Sequence, residues 1–555
     1  MPNPSPFHTL TAHFTRMLYA TGADGSQTST IRSLTGVAAP MLIAAFWLVL
    51  LESRVPIQFI PPWSLAELHG IFVLYSFCVM ACVTALQWDR LFPMRTDFLI
   101  LLPLPIRPQT LFSAKLASVA SFLGMFLLAS NVFGTLIFPM LYGAHMFRVL
   151  FAHAVAVFTA GLASSLAVLA LEALVIVLVP EGWFRRIAPV VQTLVVAVSL
   201  TLFLRVFTIG AQLPRLLQSS VPLAGKLPIL WFLSLYETLL DGPTATPYAA
   251  QLSHHAWQCL PILISAAALL YPMAWKRRQR MALEGAHSTH MRSGKTIQHL
   301  MHSTLLPHAD QRAIFHFLTQ TLTRLSRYHV MLAAYCGSGI AVAFAIALTI
   351  NTEGTHITLA PDPKGIHQAL PILLFWTVAG LRVAFLLPQE LRARWIFQMA
   401  PLSTTRVVTT IKLFVTLVCL AVIAVFAAIL GAFHWNRTDL LRQCCFCAAA
   451  TVLLTDIFFF LTDNVPFTRP SQPERSSLPL TLAVYVFGVP VFLSMMFTLE
   501  YWAGPSLGRL ATALLIAAGI HALLHILRRL PSHAISNDPF LGETDSDVRT
   551  LGLST

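Results

Sequence analysis

The sequence predicts an all-α polytopic membrane protein of about 12 transmembrane helices, laid out as two parallel six-helix halves. Three observations carry that expectation. Charged residues make up 11% of the 555-residue chain and hydrophobic residues 56%. A soluble domain carries roughly 25% charged residues, so this chain lacks the polar groups to cover a water-facing surface. Long apolar stretches recur from end to end, and short motifs in the first half return at matching places in the second.

A helix needs about 20 apolar residues to cross the ~30 Å hydrocarbon core. An unpaired backbone in lipid is prohibitive, so each stretch is expected to be helical. The expected spans are 35–52, 66–88, 111–140, 149–180, 187–208, 256–275, 329–351, 367–387, 407–433, 441–463, 477–499 and 506–527. With the N-terminus inside, the inner segments hold 24 of the 36 basic residues, as the positive-inside rule requires. Arg185-Arg186, Lys276-Arg277-Arg278 and Arg528-Arg529 each follow an even-numbered span. Both termini are therefore expected in the cytoplasm, with the chain multi-pass in the plasma (inner) membrane. The formal net charge of +13 has this topological origin, and no nucleic-acid partner is read from it. The polar first 34 residues do not have the pattern of a signal peptide. The eight cysteines fall in or beside spans, so no disulfide framework is implied.

The repeat begins ahead of each half. Phe7, His8, Leu10, Thr11, Thr15 and Arg16 match Phe315, His316, Leu318, Thr319, Thr323 and Arg324 without a gap. Apolar residues at helical spacing (Phe7, Leu10, Phe14, Met17 and Leu18; Phe315, Leu318, Leu322 and Leu325) predict an amphipathic helix on the inner membrane face at each place. A second correspondence lies between spans two and three of each half. Asp89, Arg90, Arg95 and Asp97, then Pro103, Pro105 and Arg107, precede a span carrying Lys115. Glu390, Arg392 and Arg394, then Pro401, precede one carrying Lys412. The halves are 1–280 and 313–555, joined by a polar, His-rich linker over 281–312. An even number of spans per repeat makes the duplication parallel rather than inverted.

These features together resemble the permease subunits of type-2 ATP-binding-cassette exporters. The resemblance rests on the amphipathic helix before the first span, the charged segment between spans two and three, and a long segment between spans five and six. It implies a connecting helix, a coupling helix docking on an ATPase, and an outer re-entrant hairpin. The third segment reads VPLAGKLPILWFLSLYETLLDG, with Trp231, Phe232 and Tyr236 suited to a membrane interface. The second half departs from the pattern, since the segment around Glu500 to Gly508 is too short for such a hairpin. The resemblance implies an exporter permease, not itself an enzyme, and the long apolar spans with few buried charges suggest an amphipathic or lipidic cargo over a small hydrophilic one. ATP and Mg would be bound on a separate ATPase subunit, present in two copies, and this chain would hold no cofactor. The alternatives are a secondary transporter of the major-facilitator type, which shares the 6+6 topology, and a non-transporting polytopic protein. The loop between spans two and three lacks the glycine of the former family's motif.

Other motifs are weaker. Ser293-Gly294-Lys295-Thr296 ends like a phosphate-binding loop, but position 289 is Thr289 where that motif needs glycine. His521 and His525 are one helical turn apart without a third metal ligand or the glutamate of a zinc-protease helix. Cys444, Cys445 and Cys447 point to different helix faces and read as packing. The charges inside spans are more informative, because they are expensive in lipid and usually paired. Lys115 and Glu172 lie roughly 8 and 12 Å from the inner ends of spans three and four, at 1.5 Å per residue. Lys412 and Asp456 repeat the scheme in spans nine and ten. A lysine stem bridges such a difference, so the expectation is two intramembrane pairs, Lys115–Glu172 and Lys412–Asp456.

Overall fold

The computed structural model describes residues 5–19, 27–52, 59, 62–212, 224–241, 247–284, 304–353, 356–387, 403–460, 465–467, 488–504 and 506–529. Every described element is a helix apart from one antiparallel strand pair. Ten of the described helices are long and apolar enough to cross a membrane. Polarity is inverted relative to a water-soluble protein. Leu515, Ile516, Phe147 and Phe151 are exposed, while His69, Lys115, Asn131 and Glu172 are buried. This is an all-α polytopic membrane protein.

The chain packs as two units, 1–290 with 340–362, and 291–339 with 363–555. In the first unit, α1 (Pro6–Tyr19) is followed by α2 (Gln27–Glu52) and α3 (Pro62–Leu86). The short α4 (Arg95–Leu101) leads into α5 (Pro108–Ile137), α6 (Met146–Leu178), α7 (Glu181–Leu204) and α8 (Val206–Gly210). Next come α9 (Pro228–Asp241) and α10 (Pro247–Glu284). The amphipathic α1 buries Leu10, Phe14 and Leu18 by lying on α5, so its apolar face meets protein. Pro108 opens α5 at a position where no helical N–H is lost. Helix α6 packs on α3, α5, α9 and α10. At Gly161 an added Cβ would come within 2.5 Å of Leu127 and 2.6 Å of Ser76, the close approach that small residues permit between membrane helices.

Helix α9 corrects the expectation of an interfacial segment. Phe232 and Tyr236 are fully buried, because α9 is packed against α3, α6 and α10. Trp231, half-buried, donates to the Gly225 carbonyl at 2.9 Å.

The second unit holds α11 (Ala309–Arg324), part of α12 (Ser326–Ala347), α13 (Pro363–Leu386), α14 (Thr404–Ala432), α15 (Arg437–Phe458), α16 (Val489–Ala503) and α17 (Leu507–Arg529). Helix α11 lies on α14 through Ile314, Leu318 and Leu322. Helices α13, α14 and α15 pack on one another, α16 lies against α13 and α17, and α17 against α15. The span expected over 329–351 stops at Ala347, where the chain enters β1 (Leu348–Glu353), paired with β2 (His356–Pro361). Its register runs from Leu348 opposite Pro361 to Glu353 opposite His356. Residues 348–353 read LTINTE, and the β-branched Thr349, Ile350 and Thr352 suit a strand. The expected span 477–499 is described only from Gly488 onward, with Val489–Ala503 forming α16.

Candidate functional site

Between α3 and α5 the chain makes a 3-10 turn over Trp88–Arg90 and enters α4 through an extended Met94. Asp97, three residues on, accepts the Met94 N–H at 2.8 Å, closing the first turn as in a capping box. That task turns Asp97 inward, 7% exposed. It corrects the expectation that Asp97 belongs to a docking surface.

Hydrogen bonds at three main-chain carbonyls help fasten this segment to the bundle. Arg90 donates from its guanidinium to the Met17 carbonyl of α1 at 3.2 Å. The Arg90 carbonyl in turn accepts from Lys115 Nζ at 2.7 Å. Tyr271 of α10 donates to the Leu91 carbonyl at 2.9 Å. Aromatic packing adds to them: Phe92 stacks on Tyr271 with centroids 4.5 Å apart, and Phe98 meets the edge of Trp275 at 5.4 Å. Trp88 is fully buried and Asp89 half-buried. The outward face carries Arg95, Leu99, Ile100, Pro103, Leu104, Pro105 and Arg107, all exposed. Ile100 is 65% exposed and Leu99 48%. The corresponding residues of the second half, Glu390, Arg392, Arg394 and Pro401, lie outside the described residues.

The charged side chains inside the spans behave differently in the two units. Lys412 of α14 and Asp456 of α15 come together, Nζ to Oδ1 at 2.6 Å. The other carboxylate oxygen is bonded to Nδ1 of His521 from α17, which gives that histidine a partner on a third helix. Lys115 and Glu172 are both buried but do not form the expected pair. Lys115 sits 4.9 Å over the Phe14 ring and donates a hydrogen bond to the Arg90 carbonyl. Glu172 lies instead 3.8 Å from Arg278 of α10, and neither of its oxygens has a hydrogen-bond partner among the described residues. Arg278 is held over the rings of Phe92 and Phe184 at 5.5 and 5.7 Å. The physical reason for the correction is that a third helix supplies the cation, and depth along two spans says nothing of a third.

The opposite end of each unit holds polar residues that the sequence motifs do not reveal. In the first unit His69 Nδ1 is 2.7 Å from Glu237 Oε1 and Nε2 is 3.2 Å from the Tyr142 hydroxyl. Tyr236 stacks on His69 at 4.1 Å, and its hydroxyl is 3.0 Å from His153 Nδ1. His153 and Glu172 are separated along α6 by about 28 Å at 1.5 Å per residue, close to the thickness of a hydrocarbon core. In the second unit His367 Nδ1 is 3.0 Å from Glu500 Oε1, and Gln443 donates to the His367 carbonyl at 3.1 Å. Each pair joins a histidine near the start of one helix to a glutamate more than a hundred residues later. The available sequence signal was only a polar residue inside an apolar segment.

Comparison with protein-family models, with curated proteins and with solved structures gives no match to this chain.

Proposed function

We propose that this chain is the membrane-spanning permease of an exporter of the type-2 ATP-binding-cassette kind, with both termini cytoplasmic in the plasma (inner) membrane. Residues 88–107 dock on a separate ATPase subunit, which binds the ATP and Mg. The observation that carries this reading is the two-faced build of that segment. Its inner face is tied to α1, α5 and α10 by Arg90, Lys115 and Tyr271, and its outer face presents Leu99, Ile100 and Leu104. Exposed apolar side chains flanked by charges suit a partner surface, and rigid ties at the back suit transmission of the partner's movement.

The two units are copies of one six-span plan in this reading. Support comes from the order of packing partners. The contacts of α1 on α5, α3 on α6, α5 on α6 and α6 on α10 parallel those of α11 on α14, α13 on α15, α14 on α15 and α15 on α17. Helix α9 lies against α3 and α10 as α16 lies against α13 and α17.

The test is association. The full-length chain, extracted in mild detergent, should retain an ATPase subunit. Arg95→Glu, and Leu99→Asp with Ile100→Asp, should release it without changing the melting of the permease. A wild-type chain that retains no ATPase under those conditions would remove the support for this reading.

A further inference from the structure

At the end of the second unit marked by His367, the starts of α13, α15 and α17 and the end of α16 surround a cavity of about 420 Å³. Asp439 at this cavity and Asp456 of the charge cluster both belong to α15, about 25 Å apart at 1.5 Å per residue. That separation approaches the ~30 Å of a hydrocarbon core, so the cavity lies level with lipid headgroups. Tyr501 and Trp502 beside it are 77% and 43% exposed, as amphipathic rings at a membrane interface are.

The lining combines both signs of charge with an apolar wall, which Phe446, Phe497 and Leu510 supply. His367 and Glu500 are bonded to each other at 3.0 Å, which leaves Lys364, Arg442 and Asp439 to set the charge offered to a ligand. All three are accessible. Lys364 is exposed, and the Arg442 and Asp439 side chains are 30% and 46% exposed. Among the described residues Arg442 makes its contacts through Nη1, to the Gly504 carbonyl at 3.1 Å and to Asp439 Oδ1 at 3.8 Å. A guanidinium has five N–H donors, so most of this one is left for an anion. Asp439 accepts from Asn436 through Oδ2 at 2.8 Å, and its looser contact with Arg442 is of the exposed kind that contributes little. A simple cation would face Lys364 and Arg442, and a simple anion would face Asp439. A ligand carrying both charges meets each group with its opposite. We infer that this cavity holds the headgroup of a zwitterionic phospholipid, its phosphate on Arg442 and Lys364, its ammonium on Asp439, and its chains leaving past Phe497 and Tyr501. The inference rests on the membrane fold and the cavity, and not on the exporter reading.

The experiment uses the full-length chain, delipidated in detergent and followed by native mass spectrometry as it is titrated with three dioctanoyl lipids. These are a phosphatidylethanolamine (zwitterionic), a phosphatidylglycerol (anionic) and a trimethylammonium-propane (cationic). Phosphatidylethanolamine should bind at least about tenfold tighter than either of the others, the size expected for one charge-assisted bond. Asp439→Asn should bring it down to the affinity of phosphatidylglycerol. Arg442→Gln should weaken both phosphate lipids by about tenfold. Because that change also releases the Gly504 carbonyl, Lys364→Glu at an exposed position serves as the second variant and should weaken both in the same direction. Phosphoethanolamine without chains should bind at least about a hundredfold more weakly than the lipid, since it has nothing to lay on the apolar wall. The inference is overturned if phosphatidylethanolamine is not the tightest of the three lipids, or if Asp439→Asn leaves its preference unchanged. Free phosphoethanolamine binding as tightly as the lipid overturns it equally, and assigns the cavity to a soluble ligand.

Discussion

The two units carry the same kinds of charge at the same end, yet connect them differently. Each has a lysine early in one span and an acid late in the next. Each acid also meets a cationic or polar nitrogen from a third helix: Arg278 from α10 for Glu172, and His521 from α17 for Asp456. Only the lysine changes allegiance. Lys412 completes a three-helix cluster at Asp456, whereas Lys115 serves the Arg90 carbonyl. The acid-to-third-helix contact is therefore the shared element, and the lysine is free to be used for fastening the segment at residues 88–107. Residue type and depth set the cast of a buried charge cluster; the pairings depend on which neighbouring helix delivers the nearest opposite charge.

Substitutions can break or sharpen this contrast. The largest effect is expected at the second unit's pair. Lys412→Met or Asp456→Asn should destabilise the chain by roughly 3–5 kcal/mol, because a buried charge loses its partner. Denaturant titration in detergent measures this, and exchanging the two residues should recover part of the loss. A change within the roughly 0.5 kcal/mol of an ordinary surface substitution would reduce the cluster to a coincidence of geometry. Next in size is the histidine at the other end. His69 is 1% exposed against 34% for His367. His69→Phe, which orphans Glu237 and Tyr142, should destabilise by about 1–3 kcal/mol and His367→Phe by less. Equal losses in thermal melts would mean that the two ends are built alike.

Glu172→Gln should fall within about 1 kcal/mol of wild type, since an acid without hydrogen bonds gains little from its charge in a buried site. A loss as large as that of Asp456→Asn would restore the symmetry between the units that the geometry denies. The smallest global effect belongs to Lys115→Met. Its signature is local: faster amide hydrogen exchange over residues 88–101 with little shift of the unfolding midpoint. Unchanged exchange in that segment would remove the lysine from its fastening role.

The helices were legible because apolar length is a strong signal, and the Lys412–Asp456 meeting was legible from depth in adjacent spans. Depth gives no azimuth, so Arg278 on α10 went unanticipated as the partner of Glu172. The β1–β2 pair was hidden because residues 348–351 are apolar enough to extend a span, although Leu348 already pairs with Pro361. Phe232 and Tyr236 read equally well as interfacial or as core; the packing of α9 on three helices decided for core. The His69–Glu237 and His367–Glu500 contacts span 168 and 133 residues, separations at which no local pattern couples two positions. The cavity beside Glu500 depends on side-chain volumes from four helices, which periodicity does not encode.

Three of the bonds holding the 88–107 segment end on peptide carbonyls, of Met17, Arg90 and Leu91. A carbonyl is supplied by any amino acid. Met17 and Leu91, which only receive, are therefore free to change identity without breaking the attachment, so long as their own packing is preserved, while the donors Arg90, Lys115 and Tyr271 are not. Among descendants of this chain the attachment would leave a one-sided record: three constrained donors and no matching substitutions opposite them. Methods that infer contact from paired changes would pass over this joint, and a mutational scan would find it from the donor side alone.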